Sequence, residues 1–166
     1  MKKFSIITVN YNSGDKLYDT IDSIKSQNFR NFEYILIDNI SNDNSKNIIY
    51  KNKNFIDKLI IEKDKGIVFA INKGIKKSLG EYIILLHAGD FLTKDALSRI
   101  DRITTYNKID AYFGSIKYYK KKKNHNQFLK TIYSDLNGLE KKMTLCHTAS
   151  AIKTEVIKNL KFYQTN

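Results

Sequence analysis

Apolar runs and helical stripes alternate along the first hundred residues of the chain. Short apolar runs that are rich in β-branched residues and bounded by polar turns are typical of buried strands. Segments whose apolar residues recur every three or four positions are typical of helices packed on a sheet. The pattern predicts strands over residues 4–9, 32–37, 58–61 and 82–86. It predicts a helix after each strand: one with the apolar stripe Leu17, Ile21 and Ile24, one over 45–53, one from Gly66 to Gly80, and one over 94–106 with Thr93 as N-cap.

Strands that alternate with helices predict a three-layer α/β/α sandwich around a mostly parallel sheet. The fully apolar run 82–86 is expected to lie near the centre of that sheet. Ligands of such sheets bind beyond the carboxyl ends of the strands. This rule brings polar residues from four separate loops to one edge: Tyr11, Asp38, Asp64 and Asp90.

The last third of the chain departs from this alternation. Residues 111–119 and 127–133 are predicted as antiparallel strands, joined by a loop that contains four consecutive lysines. A further strand is predicted over 144–152 and a short helix over 154–160. Because no linker or internal repeat divides the sequence, residues 1–166 are expected to form one domain.

The composition is strongly basic, with a formal net charge of +12. Such a charge favours anionic ligands, although solvated surface lysines are the simpler explanation. Arginine, which nucleic-acid-binding proteins use widely, occurs only at positions 30, 99 and 102. A single cysteine, Cys146, excludes an internal disulfide and fits a reducing, cytoplasmic setting. No signal peptide or membrane-spanning run is recognisable, so a membrane contact would be peripheral.

Five short motifs, taken in order, resemble the family-2 glycosyltransferases. Residues 6–12 are similar to that family's opening strand and turn, and 38–45 resemble its Asp-x-x-Ser-x-Asp-x-Ser loop. Residues 64–75 are similar to the loop and helix under the nucleotide, and 80–90 to the strand that leads to the Asp-x-Asp region. Residues 146–149 resemble a later strand in which many members have His-Gln. The ordered combination is more specific than any single motif, and it implies an inverting enzyme of the GT-A fold.

The resemblance implies roles for the four residues at the sheet edge. Tyr11 and Asp38 would hold the base of a nucleotide-diphosphate sugar, a UDP-sugar above all, and Asp64 the nucleoside. Asp90 would bind a divalent cation, Mg²⁺ or Mn²⁺, which prefers oxygen ligands and takes the others from diphosphate and water. On the residues alone, a capping or Asx-turn role for Asp38 and a turn role for Asp90 remain open.

Some positions depart from the family pattern. His87 and Gly89 stand where the fuller metal motif has aspartates, although His87 could offer the cation a nitrogen. Ile71 stands where relatives often have arginine. His147 is a candidate acceptor-side residue, but a lone histidine is more often structural. The exposed run around Tyr118 is either a lipid-phosphate contact or a solvated hairpin.

The function implied by the resemblance is transfer of a sugar, with inversion, to a hydroxyl of a glycan or lipid-linked acceptor in bacterial cell-envelope polysaccharide synthesis. Residues 1–106 would form the nucleotide-binding half, and 107–166 the incomplete start of the acceptor-side half. A catalytic carboxylate normally follows the segment similar to Lys161–Tyr163, so we expect the general base beyond Asn166 and little transfer by the chain as it stands. The location would be cytoplasmic or peripheral at the inner membrane face.

Three other classes of protein compete with the glycosyltransferase interpretation. A non-catalytic nucleotide-sugar-binding module, or a degenerate paralogue, remains the alternative to an enzyme. A nucleic-acid or membrane-surface binder is disfavoured because aspartates at the sheet edge would repel such ligands. A Rossmann dehydrogenase is disfavoured because no Gly-x-Gly-x-x-Gly follows the first strand.

Overall fold

A computed structural model describes residues 1–121, 126–134 and 147–159. The strands are β1 (Phe4–Asn10), β2 (Phe32–Asp38), β3 (Lys58–Ile61), β4 (Tyr82–Leu85), β5 (Ala111–Phe113), β6 (Ile116–Lys121), β7 (Asn126–Ile132) and β8 (Ser150–Lys153). The helices are α1 (Asp15–Lys25), α2 (Ser45–Asn52), α3 (Ile67–Lys77), α4 (Ala96–Asn107) and α5 (Thr154–Asn159), with a 3₁₀ turn at His147–Ala149. Six strands form one sheet in the order β3-β2-β1-β4-β8-β5, and β6 and β7 form a separate antiparallel hairpin.

The main sheet is covered on both faces at β1, β2 and β4, which explains why these three strands are buried along their whole length, whereas the outer strand β3 alternates. Successive residues of β1 enter opposite cores: Ile6 packs in the cluster that contains Leu17 of α1, and Ile7 packs with Ile71 of α3. The pairs β1–β2, β2–β3 and β1–β4 are parallel, whereas β8 is antiparallel to both β4 and β5. The predicted three-layer α/β architecture and the central place of β4 are confirmed.

The prediction of one strand over 111–119 was wrong. β5 stops at Phe113 in the main sheet, and β6 starts at Ile116 in the hairpin. The apolar pattern continues across the break. The Gly114 amide still donates to the Ala149 carbonyl oxygen at 2.7 Å, in the register of the β5–β8 pairing, and the chain then leaves β8 and pairs with β7 from Ile116. The strand predicted over 144–152 is observed only from Ser150, after the 3₁₀ turn, and residues 144–146 lie outside the described residues.

Two predicted helix boundaries also need correction. Thr93 does not cap α4: its carbonyl oxygen accepts the amide of Ala96 and the Gln27 side chain, and the helix begins two residues later than predicted. Gly80 does not end α3, which stops at Lys77. A Cβ at Gly80 would lie 2.5 Å from the backbone of Phe4 and Ser5, so this glycine permits a close approach of two chain segments.

A buried carboxylate ties the other end of the strands together. Glu33 accepts hydrogen bonds from Ser5 Oγ at 2.6 Å, Lys58 Nζ at 2.7 Å and the Leu79 amide at 2.6 Å. Burial by itself raises the pKa of a carboxyl group, but these donors outweigh it and hold the pKa of Glu33 below its usual value. The amino end of the sheet is therefore stabilised by charge-assisted hydrogen bonds, away from the predicted ligand edge.

Candidate functional site

Asp38 is the centre of a hydrogen-bonded cluster at the carboxyl ends of β1 and β2. Its Oδ1 accepts Asn10 Nδ2 and Ser41 Oγ, both at 2.6 Å, and its Oδ2 accepts the Ser41 amide at 2.9 Å. Asp38 is only 1% exposed. These contacts correspond to the turn role that the sequence left open, so Asp38 shapes the loop that follows β2.

The loops after β1 and β2 are joined by further hydrogen bonds. Ser41 Oγ accepts the Asn12 amide at 2.9 Å, and Asn12 Oδ1 accepts the Asn42 amide at 2.8 Å. Asn12 reaches this geometry in the left-handed region, which asparagine tolerates well (φ 48°). Between these anchored residues Tyr11 is 62% exposed, so the paired loops present an aromatic ring at the sheet edge.

Asp64 is attached to the same cluster from the β3 side. Its amide donates to Asn39 Oδ1 at 2.7 Å, and its Oδ1 is paired with Lys73 of α3. The hydrogen bond with Asp64, and a second one with Glu62, raise the pKa of Lys73. The Asp64 side chain is 2% exposed, and its Oδ2 has no hydrogen-bond partner within the described residues. A buried carboxylate oxygen without a donor is unfavourable, which marks it as a place for a ligand or water hydrogen bond.

Side chains of α1 hold the loop after β4. Thr20 Oγ1 donates to the Asp90 carbonyl oxygen at 2.8 Å and accepts the Gly89 amide at 2.9 Å. Ser23 Oγ accepts the Leu92 amide at 3.1 Å. Gly89 has φ 107°, a conformation that favours glycine. The backbone of this loop is thus fixed, and Asp90 is exposed on it.

The four predicted residues therefore follow the carboxyl ends of adjacent parallel strands. The Asn10–Asp38 contact and the Asn39–Asp64 contact connect three of the loops, and the Ala88 amide joins the fourth to the Val9 carbonyl oxygen at 3.3 Å. Their roles toward a ligand stay predictions. His147 lies in the 3₁₀ turn, and its side chain is outside the described residues.

Sequence reasoning missed Asn39, Thr20 and Ser23. A signal was present for the last two, because Thr20, Ser23 and Gln27 repeat at helical spacing beside the apolar stripe of α1 and are all buried. Buried polar residues with that spacing indicate hydrogen bonds to a neighbouring segment. Asn39 had no comparable signal, since its partner is 25 residues away.

The residues at this edge fit a cation site to which the protein contributes one carboxylate, that of Asp90. Across residues 1–121, 126–134 and 147–159, no three His, Cys, Asp or Glu side chains lie close enough to share a metal ion. Asp90 can offer a carboxylate to solvent from a fixed backbone. That suits a cation whose remaining oxygen ligands come from substrate and water, as is common for Mg²⁺.

Comparison with known proteins agrees with this architecture. Residues 5–161 match the family model Glycosyl transferase family 2. The chain is 34% identical over 119 residues to the poly(ribitol-phosphate) beta-N-acetylglucosaminyltransferase TarP of Staphylococcus aureus. This match covers 69% of this chain and 36% of TarP. It is 32% identical over 125 residues to WfaP of Escherichia coli, a UDP-Glc:alpha-D-GlcNAc-diphosphoundecaprenol beta-1,3-glucosyltransferase. This second match covers 74% of this chain and 48% of WfaP. The chain thus spans less than half the length of these two relatives.

Solved structures show the same fold. The S. aureus TarS structure in complex with UDP superposes with a TM-score of 0.74 at 19% identity, over 98% of this chain and 50% of TarS 1–349. The mannosyltransferase PcManGT of Pyrobaculum calidifontis, solved with GDP-Man and Mn²⁺, gives 0.66 at 16% identity, over 95% of this chain and 46% of that one. These matches confirm the GT-A fold expected from the motifs. Since the family match extends over residues 5–161, this chain belongs to glycosyl transferase family 2.

Proposed function

We propose that the chain binds a nucleoside-diphosphate sugar, most simply a UDP-sugar, along the carboxyl edge of its parallel strands. It would serve there as the donor-binding part of an enzyme that transfers the sugar, with inversion, to a hydroxyl group. The observation that carries the proposal is the buried Asp64 carboxylate, whose Oδ2 lacks a donor within the described residues while the exposed Tyr11 ring stands on a linked loop. The TarS complexes with UDP and UDP-GlcNAc support the choice of a UDP-sugar.

Each residue of the edge has a proposed task. The Tyr11 ring packs against the base, and Asp64 Oδ2 accepts a hydrogen bond from the nucleoside, where a hydroxyl group can donate. The Asp38 carboxylate already receives three donors, so Asp38 acts on the base through the loop that it holds. The ammonium group of Lys73, paired with Asp64 Oδ1, orients the Asp64 carboxylate.

Asp90 is the proposed ligand of Mg²⁺ or Mn²⁺. A bound cation would neutralise the charge that develops on the leaving nucleoside diphosphate. This chain presents the Asp90 carboxylate from a loop that Thr20 fixes, so little conformational entropy is lost when the cation binds.

The acceptor is proposed to be a glycan or lipid-linked hydroxyl, with His147 on the acceptor side. WfaP, whose name specifies a diphosphoundecaprenol-linked acceptor, supports the lipid-linked option. Such an acceptor would require a peripheral contact with the inner face of the membrane. In the part of the chain that the structure describes, no helix has the length and apolar character needed to cross a bilayer.

Calorimetric titration with UDP tests donor binding. Tyr11→Ala is expected to lower the UDP affinity by roughly tenfold, because stacking of one base on an aromatic ring contributes about 1–3 kcal/mol. Tyr18→Ala is the matched control, since Tyr18 is similarly exposed, at 53%, but lies on α1. Equal affinities for the two variants would contradict the proposed site. Acceptor-dependent release of UDP from UDP-GlcNAc or UDP-Glc then separates transfer from binding alone.

A further inference from the structure

The β6–β7 hairpin exposes apolar side chains although it stands apart from the main sheet. Phe128 is 52% exposed and Leu129 55%, and Tyr118, Tyr119 and Ile132 each retain more than a third of their surface. A two-stranded hairpin is marginally stable alone, and contiguous exposed apolar groups commonly mark an interaction site. This hairpin is therefore a candidate docking surface.

The two faces of the hairpin differ in what they contact. On one face Lys130 Nζ lies 5.6 Å from the Tyr118 ring centroid. On the other, Tyr119 packs against Phe128, with ring centroids 5.7 Å apart, and against Phe91 at 5.9 Å. Phe91 directly follows Asp90, so the hairpin is in contact with the loop that carries the proposed cation ligand.

The charge of the hairpin is of one sign. Between Ala111 and Ser134 the sequence contains six lysines and neither aspartate nor glutamate. The side chains of Lys117, Lys120 and Lys130 are exposed there. Lysine ammonium groups, tyrosine rings and a few aliphatic side chains are the combination that suits the headgroup layer of an anionic bilayer.

A polyanion such as single-stranded RNA fits these side chains less well. Nucleic-acid surfaces use aromatic rings as stacking platforms. Here Lys130 already covers Tyr118, and Phe91 and Phe128 pack against Tyr119. Exposed aliphatic side chains such as Leu129 are stabilised by transfer from water to hydrocarbon, which acyl chains provide and which bases and phosphates do not.

We propose that the β6–β7 hairpin docks the protein on an anionic phospholipid surface. Phe128 and Leu129 enter the headgroup–acyl boundary, and Lys117, Lys120 and Lys130 lie at the level of the phosphates. Because Phe91 contacts Tyr119, docking holds the Asp90 loop close to the bilayer, where a lipid-linked acceptor would emerge. That last consequence rests on the proposed function, whereas the docking itself does not.

A tryptophan reporter tests the insertion, because the chain contains no tryptophan. Phe128→Trp is compared with Tyr50→Trp, a 70% exposed position on α2. Vesicles of phosphatidylglycerol and phosphatidylcholine with brominated acyl chains should quench and blue-shift the fluorescence of Phe128→Trp alone, and pure phosphatidylcholine should leave it unchanged. Quenching of both variants, or of neither while the protein cosediments with vesicles, would overturn the proposal.

Charge reversal provides an independent test by vesicle cosedimentation. The triple variant K117E/K120E/K130E should lose roughly a hundredfold in partitioning to the anionic vesicles, since each lysine near the surface adds severalfold. The control K46E/K51E/K76E changes net charge equally at three exposed lysines of α2 and α3 and should bind nearly as well as the parent chain. Equal loss in both triples would indicate a general charge effect and reject the hairpin as the docking site.

Binding of poly(U) and of UDP distinguishes membrane docking from polyanion binding and from the proposed donor binding. If poly(U) binds with the same lysine dependence while vesicles do not bind, the surface is a polyanion site and the membrane proposal is wrong. UDP affinity of the hairpin variants should equal that of the parent chain. Loss of vesicle binding with intact UDP binding would therefore support the hairpin assignment, and failure of UDP binding in the parent chain would reject only the proposed function.

Discussion

The Asn10 side chain donates a 2.6 Å hydrogen bond to Asp38 Oδ1 and so joins the last residues of two adjacent parallel strands. Both residues are buried, at 4% and 1% exposure. Because Asp38 also orders Ser41, the loop geometry at this edge is set by the fold itself before any ligand arrives. Preorganised loops of this kind reduce the entropy lost on binding.

Replacing Asp38 tests this arrangement. Asp38→Asn places an amide group where three donors converge, so at least one donor loses its acceptor. We expect a loss of about 1–3 kcal/mol in the free energy of unfolding, measured by urea denaturation, together with weaker UDP binding. Asp22→Asn, at an exposed position on α1, is the control and should change neither quantity. An unchanged unfolding midpoint in Asp38→Asn would contradict the structural role.

The Asp64–Lys73 pair leads to a prediction about affinity. Asp64→Asn should weaken UDP binding by at least roughly tenfold, because a hydrogen bond to a charged group is worth about 1.5–3 kcal/mol. Glu62→Gln removes the more exposed partner of Lys73, 53% exposed, and should change the affinity by less than about fivefold. Calorimetry of both variants gives the comparison, and similar losses would argue against a direct contact of Asp64 with the nucleotide.

Asp90 is predicted to carry the metal dependence of donor binding. In Asp90→Ala, addition of Mn²⁺ should no longer increase the affinity for UDP, while the thermal midpoint stays unchanged because the side chain is exposed. Asp95→Ala is the control from the same connection, since the Asp95 side chain is 45% exposed and its ion pair within the described residues is with Arg99, one helical turn away. Persistence of the Mn²⁺ effect in Asp90→Ala would remove this residue from the cation site.

Glu33 should make the stability depend on pH in the acidic range. Its folded-state pKa lies below the unfolded value, so its contribution is present above that unfolded value, near 4.5, and is lost as the pH falls through the folded-state pKa. Glu33→Gln should cost about 1–3 kcal/mol at pH 7 and progressively less at lower pH. Urea titrations at several pH values check this. Glu81→Gln, in the partly exposed pair with Lys3, should cost less than about 1 kcal/mol.

Two glycines are predicted not to tolerate alanine. Gly80→Ala would press a methyl group against the backbone of Phe4 and Ser5, and we expect destabilisation by about 3 kcal/mol or more. At Gly74 the new methyl would lie 2.5 Å from Cγ2 of Ile7, a buried β-branched side chain with little freedom to move. Gly74→Ala should therefore also destabilise, by about 1–3 kcal/mol, although alanine has the higher helix propensity. An unchanged thermal midpoint in either variant would contradict the close approach at that glycine.

The first hundred residues were predictable because their signal is local. The strand over 58–61 was predicted with its observed bounds, and the other three parallel strands to within one residue at their ends. Apolar runs between polar turns carry that information without knowledge of distant partners. By contrast, the change of partner after Gly114, from β8 to β7, depends on strands that come later in the chain, and no local pattern indicates it.

The sequence predicted where the four candidate residues lie, but it did not predict their hydrogen bonds and ion pairs. Parallel topology was sufficient to bring Tyr11, Asp38, Asp64 and Asp90 to one edge. Whether Asp38 faces a ligand or its own loop depends on Asn10, 28 residues away, and the sequence left both options open. The Asp64–Lys73 pair likewise required the actual placement of α3.

The position of β8 has a consequence for synthesis of the protein. Residues 150–153 emerge late from the ribosome, yet they pair with β4, whose residues emerge about seventy positions earlier. Until then the nascent sheet of β3, β2, β1 and β4 has an apolar outer strand with unpaired backbone groups, which is a template for pairing with other chains. Because this interior strand is synthesised late, we expect a chaperone to bind the nascent chain. Chains stalled before residue 150 should aggregate slowly.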